Sequence, residues 1–253
     1  MTLLQSILLG IVQGLTEFLP VSSKGHLALF QHFIPDFSQP GVLFDVVLHL
    51  GTVLAVLIYF RERVLAVLKD LRLLGLLLAA TIPVGILGIL FQKKIEHAFT
   101  DMKLTAVCFI ITGFILYFAD RLKEGVKTEK TLYFGDALKI GLIQCLALLP
   151  GLSRSGTTIS GGIFSGLSRK SAMEFSFLLS IPAILGAALV ECRHLNREEL
   201  AGVNPLIYFA GLVTAAVVGY LAIKGLLNIL QKHKLYYFSI YLFILGTAIL
   251  VFL

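Results

Sequence analysis

The sequence contains no tryptophan, three cysteines and few charged residues for its 253 residues. Asp, Glu, Lys and Arg make up 14% of the chain, whereas soluble proteins carry about 25%. With so few charges and 57% hydrophobic residues, the chain cannot cover a water-facing surface, which excludes an ordinary soluble domain. Cys108, Cys145 and Cys192 are scattered and lack ligand spacing, so no disulfide framework is expected.

The charge is positive overall, with a formal net charge of +6. A basic chain normally suggests a nucleic-acid partner. Here, however, the Lys and Arg residues lie in short segments between apolar runs, which is typical of residues that set membrane topology. The sequence therefore predicts an integral membrane protein and no nucleic-acid partner.

Six apolar stretches approach the length of a membrane-crossing helix, which needs about 20 residues and no fewer than about 17. These predicted spans are residues 42–60, 73–91, 104–119, 175–190, 205–223 and 235–253. Only the first contains ionisable side chains, Asp45 and His49. They are one helical turn apart, so they are expected either to extend a functional site or to hydrogen-bond each other.

Two further apolar stretches are interrupted by polar residues. Residues 3–19 run into Pro20-Val-Ser-Ser-Lys-Gly-His26, and residues 138–149 run into Pro150-Gly-Leu-Ser-Arg-Ser-Gly156. Each resumes as a short helix, to about residues 33 and 164. Such segments are too broken to cross the membrane and too apolar to be loops, so each predicts a re-entrant helix hairpin with a polar tip enclosed by protein.

The two interrupted segments match one another at a fixed offset of 131 residues, which aligns Gly10 with Gly141, Gln13 with Gln144, Ser22 with Ser153 and Gly25 with Gly156. The chain is therefore predicted to be one membrane domain, 1–253, built of two repeats, about 1–122 and 132–253, joined by a short cytoplasmic linker. Each repeat would hold one hairpin and three spans. Because three is odd, the second repeat is inverted, and the paired breaks point to a central site.

The orientation follows from counting basic residues. One side receives the loops 61–72, 121–139, 167–171 and 224–234, with 14 Lys or Arg, and the other receives 92–103 and 191–204, with 5. The positive-inside rule makes the first side cytoplasmic and places both termini outside. No cleavable signal peptide is expected, because the first residues lack a basic region and a cleavage site.

Arg154, in the second break, costs about 2.5–3.5 kcal/mol to place in a membrane on insertion scales, and an anionic partner would offset that cost. It lies where a new helix begins, and helix N-termini and arginine forks both suit phosphate. The sequence predicts phosphate binding by Ser22 of the first break and by these residues of the second break: Ser153, Arg154, Ser155, Gly156 and Thr158. The alternative is that Arg154 pairs with a buried carboxylate while the serines cap a helix.

The first break supplies groups for acid–base or nucleophilic chemistry. Gln13 and Glu17 share one helical face, as do Ser22, Ser23 and His26 beyond Pro20. A hydroxyl, an imidazole and a carboxylate that converge on an anion site form a catalytic set. The simpler alternatives are a helix cap for Ser22, core packing for His26 and a helix–helix hydrogen bond for Glu17.

Two other ionisable residues near these segments carry no firm prediction of a functional role. Glu174, at the entry of the fourth span, is expected at the membrane interface. Lys24 is expected either to attract an anion or to extend its amine to lipid headgroups.

The segments 13–26 and 150–158 resemble the two signature motifs of the undecaprenyl-diphosphate phosphatases, the bacitracin-resistance family of bacterial inner-membrane enzymes. The resemblance runs along essentially the whole chain. It implies an all-α polytopic membrane enzyme that hydrolyses undecaprenyl diphosphate to undecaprenyl phosphate and inorganic phosphate and so recycles the lipid carrier of peptidoglycan synthesis. It also implies a divalent cation, Mg²⁺ or Ca²⁺, and a site reached from the periplasm.

By this resemblance, family functional positions fall on Glu17, Ser23, His26, Ser153, Arg154, Ser155 and Thr158. Gln13 stands where the family has Glu or Gln. Glutamine removes one negative charge from this helix, so Glu17 would be the carboxylate that anchors a metal, with Gln13 binding one of the metal's waters.

The working hypothesis for the chemistry is that Ser23, activated by His26, attacks the diphosphate, with His26 itself or a metal-bound water as other candidate nucleophiles. The rival function is a transporter or flippase of a lipid-linked phosphate, because inverted repeats and broken helices also suit alternating access. The expected partners are the isoprenoid diphosphate and the membrane, and a homodimer is left open.

Overall fold

The computed structural model describes residues 1–34, 37, 43–194, 203–232 and 235–253, and these form helices and connecting turns with no strand. The helices are α1 (Leu3–Thr16), α2 (Ser23–Phe33), α3 (Leu43–Tyr59), α4 (Arg61–Lys69), α5 (Leu71–Leu90), α6 (Gln92–Ala98), α7 (Met102–Arg121), α8 (Phe134–Gln144), α9 (Arg154–Phe164), α10 (Arg169–His194), α11 (Pro205–Lys232) and α12 (Tyr236–Phe252). The predicted all-helical membrane fold is confirmed at this level.

Four of these helices, α5, α7, α10 and α11, are long and apolar enough to cross a membrane. The pair α3 and α4, bent by 84°, makes a fifth candidate if it counts as one span. The sixth predicted stretch forms the apolar helix α12, which has 17 residues. Helices thus occupy all six predicted stretches. By length and composition, four of them could cross a membrane, or five if α3 and α4 form one span.

Both interrupted segments break where the prolines stand, since proline lacks the N–H that a helix needs and disfavours helix in the residue before it. After α1 the chain turns until Ser22 caps α2. After α8 a short 3₁₀ turn leads to Pro150 and Gly151, and Ser153 caps α9. Gly151 has φ +86°, and an added Cβ would lie 2.3 Å from the Thr105 carbonyl oxygen, so this turn requires glycine.

The two breaks touch one another. Ser155 Oγ in the second break donates to the Leu19 carbonyl in the first, at 2.8 Å, and Ser22 Oγ in the first donates to the Leu152 carbonyl in the second, at 3.4 Å. The tips that lie 131 residues apart in sequence are therefore neighbours in space.

Two glycines that lie 131 residues apart make similar close contacts between helices. In α1, a Cβ at Gly10 would lie 2.8 Å from the carbonyl oxygen of Gly211 in α11. In α8, a Cβ at Gly141 would lie 2.5 Å from the carbonyl oxygen of Ala80 in α5. The offset of 131 relates Gly10 to Gly141 and Ala80 to Gly211, so one contact is the counterpart of the other with the two halves exchanged.

Gly141→Ala is expected to lower the free energy of unfolding by about 1–3 kcal/mol, because the new methyl group meets backbone that cannot move aside. Gly135→Ala is the matched control on the same helix, since nothing lies within 4 Å of a Cβ there. Alanine favours helix over glycine, so this control should be neutral or stabilising. Thermal unfolding in detergent measures both, and equal melting temperatures would contradict the close packing.

The loops richest in Lys and Arg meet at one end of the bundle. Arg63 pairs with Glu129 and with Glu174, and Arg169 Nη1 lies 2.7 Å from Asp120 Oδ1. The backbone N–H of Leu235, at the start of α12, also donates to Asp120 Oδ1, at 3.1 Å. These contacts bring three of the four loops that the basic-residue count predicts on the same side to one end of the bundle, together with Leu235, which follows the fourth, and they place Glu174 there as well.

Candidate active site

Glu17, which directly follows α1, lies buried between the two tips. Its Oε2 accepts hydrogen bonds from Ser23 Oγ at 2.5 Å and from Gln13 Nε2 at 3.0 Å. Its Oε1 accepts from Arg154 Nη2 at 2.6 Å. His49 Nε2, from α3, lies 3.6 Å from Oε2. One carboxylate thus gathers polar groups from four helices.

Arg154 links the second break to the first and to α10. While Nη2 contacts Glu17, Nη1 donates to the backbone carbonyl of Ser176 at 3.1 Å. The pairing of Arg154 with a buried carboxylate, foreseen as the alternative to phosphate binding, is therefore present. The side chain is 17% exposed, against 4% for that of Glu17, so the guanidinium is the more accessible member of the pair.

The hydroxyl groups of the second break are buried and already hydrogen-bonded. Ser153 Oγ accepts from Gly156 N–H at 3.0 Å, as a helix cap does, and lies 3.1 Å from Ser155 Oγ. An added Cβ at Gly156 would lie 3.0 Å from Ser153 Cβ. Thr158 Oγ1 donates to the Arg154 carbonyl at 2.8 Å. It also lies 2.6 Å from Ser176 Oγ, so it holds α9 to α10.

Ser22 adopts a backbone conformation that is unfavourable for a residue with a side chain. Its φ is +69°, and it is the one non-glycine residue with positive φ in the ranges described. Such strain costs about 1–2 kcal/mol and persists where the surrounding structure imposes it. The strained residue sits at the tip of the first break, directly before Ser23.

Ser22→Gly is expected to be more stable than Ser22→Ala by about 1–2 kcal/mol, because glycine adopts positive φ without strain and alanine does not. Both variants lose the serine hydroxyl and its bonds to Gly25 and Leu152, so that loss cancels in the comparison. Melting temperatures of the two purified variants test this. An alanine variant as stable as the glycine variant would show that the turn relaxes.

His26 is buried, but it does not contact Ser23. Its Nδ1 lies 2.8 Å from the Ser22 carbonyl oxygen, which accepts only, so Nδ1 carries the proton. Nε2 is then the acceptor for the Tyr241 hydroxyl, 2.7 Å away on α12. The Ser23 hydroxyl turns instead to Glu17. The predicted activation of Ser23 by His26 is not formed in this geometry, because both imidazole nitrogens have other partners.

Three polar residues outside the two motifs join this site: His49, Ser176 and Tyr241. His49 Nδ1 bonds the Asp45 backbone carbonyl at 2.7 Å, while the Asp45 carboxylate accepts from Gln31 at 2.8 Å. His49 therefore extends the site. The repeat offset aligns Ser176 with Asp45, which is the sequence signal that singles it out. No signal distinguishes Tyr241 from the other tyrosines.

Residues 6–248 match the family described as bacitracin resistance protein BacA. The chain belongs to this family. It is 45% identical over 251 residues to an undecaprenyl-diphosphatase of Carboxydothermus hydrogenoformans, covering 98% of this chain and 96% of that one. It is 44% identical over 259 residues to an undecaprenyl-diphosphatase of Syntrophotalea carbinolica, covering 97% of each chain. The resemblance seen in the two motifs is thus confirmed along nearly the whole length.

In this BacA family member the groups around Glu17 fit a hard divalent cation. Gln13 Oε1 is buried and has no hydrogen-bond partner, while the Nε2 of the same amide holds Glu17. An amide oxygen beside a carboxylate is a donor set that Mg²⁺ accepts, with waters and substrate phosphates completing its shell. Among the residues that the structure describes, no cluster of three or more His, Cys, Asp or Glu is placed to bind a metal. A cation at Glu17 would therefore need the waters and substrate phosphates as ligands.

Lys24 lies apart from these contacts. Its Nζ is 5.4 Å from the ring centroid of Phe99, a residue of the loop between α6 and α7. The side chain is exposed. The basic group therefore stacks on an aromatic ring near the first break, and no phosphate-binding role follows from that contact alone.

Proposed function

We propose that this chain hydrolyses undecaprenyl diphosphate to undecaprenyl phosphate and inorganic phosphate, which recycles the lipid carrier for peptidoglycan synthesis and confers bacitracin resistance. The observation that carries the proposal is the convergence of Ser23, Glu17 and Arg154, with distances of 2.5 Å and 2.6 Å to the shared carboxylate. A transporter needs an anion site, whereas only cleavage also needs a hydroxyl held against a base. Family membership supports the same activity.

The architecture proposed for this enzyme is six spans and two re-entrant hairpins in an inverted repeat, with repeats of about 1–122 and 132–253. The exchanged glycine contacts of Gly10 and Gly141 support the repeat. The Lys- and Arg-rich loops gathered at one end support a cytoplasmic face there, in a bacterial inner membrane. Both termini, and the opening of the site, would then lie on the periplasmic side.

Substrate binding is assigned to the second break. Arg154 presents a planar fork that suits phosphoryl oxygens, and its two chain neighbours, Ser153 and Ser155, carry hydroxyls that lie 3.1 Å from each other. In the free enzyme the fork contacts Glu17 and the Ser176 carbonyl, which fix its position. Donors held in place before the reaction stabilise the charge that develops on a transferring phosphoryl group, which is most of the catalytic task.

The chemical step is assigned to the first break. Ser23 Oγ forms a bond to the terminal phosphorus while Glu17 Oε2 takes the serine proton, and the bond from that phosphorus to the bridging oxygen breaks. Undecaprenyl phosphate leaves with the electron pair. Water then cleaves the phosphoserine and releases inorganic phosphate. Glu17 replaces His26 as the base because it is the group that the Ser23 hydroxyl contacts.

Gln13 and Glu17 are the residues that would hold a divalent cation, Mg²⁺ in preference to Ca²⁺, because Mg²⁺ keeps several waters and binds through one or two carboxylates plus substrate phosphates. When bound, the cation would neutralise charge on the diphosphate. Gln13 itself has a separate task, which is to donate to Glu17 and fix its orientation toward Ser23.

Detergent-solubilised protein given undecaprenyl diphosphate is expected to release phosphate, and a chelator is expected to stop that release until Mg²⁺ is added. Gln13→Glu should lower the Mg²⁺ concentration for half-maximal activity, since it adds a negative ligand beside Glu17. A flippase needs two compartments and would release no phosphate from solubilised protein. Phosphate release that a chelator does not affect would support the hydrolase and contradict the proposed metal requirement.

A further inference from the structure

A cavity of about 590 Å³ opens at the Lys- and Arg-rich end, between the first turns of α5 and the residues that precede α8. Its walls include Leu71 and Arg72 on one side and Lys130, Tyr133 and Phe134 on the other. None of the residues gathered around Glu17 lines it. The cavity is therefore separate from the proposed active site.

Two cationic side chains line this cavity without a carboxylate partner in the ranges that the structure describes. The Arg72 guanidinium donates to the backbone carbonyls of Glu129, at 3.2 Å, and of Leu132, which fix its position and leave its charge unneutralised. Lys130 forms no ion pair in those ranges. Glu129, the acidic residue next to Lys130 in the chain, is paired with Arg63. The cavity thus presents net positive charge.

The remaining walls are mostly apolar, and three of their large side chains are exposed. Leu71 is 80% exposed, Tyr133 72% and Phe134 64%. Large exposed apolar side chains beside cations suit a ligand with an anionic head and hydrocarbon chains, whereas a free inorganic anion would gain nothing from them. At a membrane surface the abundant ligand of that chemistry is a phospholipid.

We propose that this cavity binds an anionic phospholipid, with the headgroup phosphate on Arg72 and Lys130 and the acyl chains along Leu71 and Phe134. The volume falls in the range of small-molecule sites, about 300–1,000 Å³. Basic pockets between membrane helices bind such headgroups. The bound lipid would tie the segment that joins the two halves of the chain to the start of α5.

The absence of tryptophan from the chain provides a clean test. Phe134→Trp places a single tryptophan, excited selectively over the tyrosines, on the cavity wall. The protein is reconstituted with phosphatidylglycerol or phosphatidylcholine brominated on the acyl chains. Phe118→Trp is the matched control, because Phe118 is also a large exposed residue toward the same end but lies outside the cavity.

Brominated phosphatidylglycerol is expected to quench the Phe134→Trp variant with an apparent affinity at least fivefold higher than brominated phosphatidylcholine, and both lipids are expected to quench the Phe118→Trp variant equally. Adding Lys130→Gln to the Phe134→Trp variant should reduce the preference about fivefold, the effect of one surface charge near lipid, and leave phosphate release unchanged. Equal quenching of the Phe134→Trp variant by the two lipids, or a preference that Lys130→Gln leaves undiminished, would overturn the proposal. So would displacement by inorganic phosphate that chloride at equal ionic strength does not produce, since that result indicates a free-phosphate site.

Discussion

Arg154→Gln is expected to lower kcat/KM for undecaprenyl diphosphate by about 10³-fold, because one charged, prepositioned phosphoryl donor is lost. The same change is expected to destabilise the protein by about 3–5 kcal/mol, since Glu17 would remain buried without its partner at 2.6 Å. Arg154→Lys keeps the charge but not the planar fork, so its kcat/KM and its stability should lie between those of Arg154→Gln and those of the wild type. Phosphate release and thermal unfolding measure the two effects separately.

The double variant Glu17→Gln/Arg154→Gln separates catalysis from folding. Two neutral side chains remove the uncompensated charge, so much of the stability should return while activity stays low. Arg121→Gln is the matched control, because Arg121 stacks on Tyr117 at 4.4 Å and lies outside the site. An Arg154→Gln enzyme that folds and releases phosphate at the wild-type rate would show that the arginine is only a structural partner of Glu17.

Composition and spacing were enough to predict that Glu17, Ser23 and Arg154 meet at the site, but not that Ser176 and Tyr241 join them. The two prolines predict the breaks, and the 131-residue offset predicts that the breaks belong together, which the contact between Ser155 and Leu19 bears out. Arg154 stands out by its cost in a membrane alone. These features can be recognised in the sequence because each one interrupts a stretch that is otherwise apolar.

The pairing of hydrogen-bond partners could not be predicted in the same way. Helical spacing puts Ser23 and His26 on one face. It does not show that the imidazole forms a hydrogen bond with the hydroxyl of Tyr241, 215 residues away. Spacing likewise left His49 undecided between Asp45 and the site, because the choice depends on how α3 packs against α1. Side-chain pairing is fixed by tertiary packing, whereas the sequence pattern reports only which face a residue occupies.

The base for Ser23 is the remaining mechanistic choice, and two substitutions decide it. Ser23→Ala is expected to lower kcat by about 10⁴-fold while leaving binding of the lipid diphosphate intact, because the nucleophile is removed and Arg154 remains. His26→Gln is expected to lower kcat by no more than about tenfold, because it removes only ordinary hydrogen bonds. The imidazole bonds to Ser22 and Tyr241 and not to the nucleophile. Tyr241→Phe removes one of those bonds and is the matched control.

Single-turnover reactions with substrate labelled in the terminal phosphate, quenched in acid, test the same assignment directly. Labelled phosphoserine should accumulate in the wild type and in His26→Gln and be missing from Ser23→Ala. Full turnover by Ser23→Ala would exclude the serine as nucleophile. A His26→Gln enzyme that keeps the wild-type melting temperature and is as inactive as Ser23→Ala would contradict Glu17 as a sufficient base and would assign an essential chemical role to the imidazole.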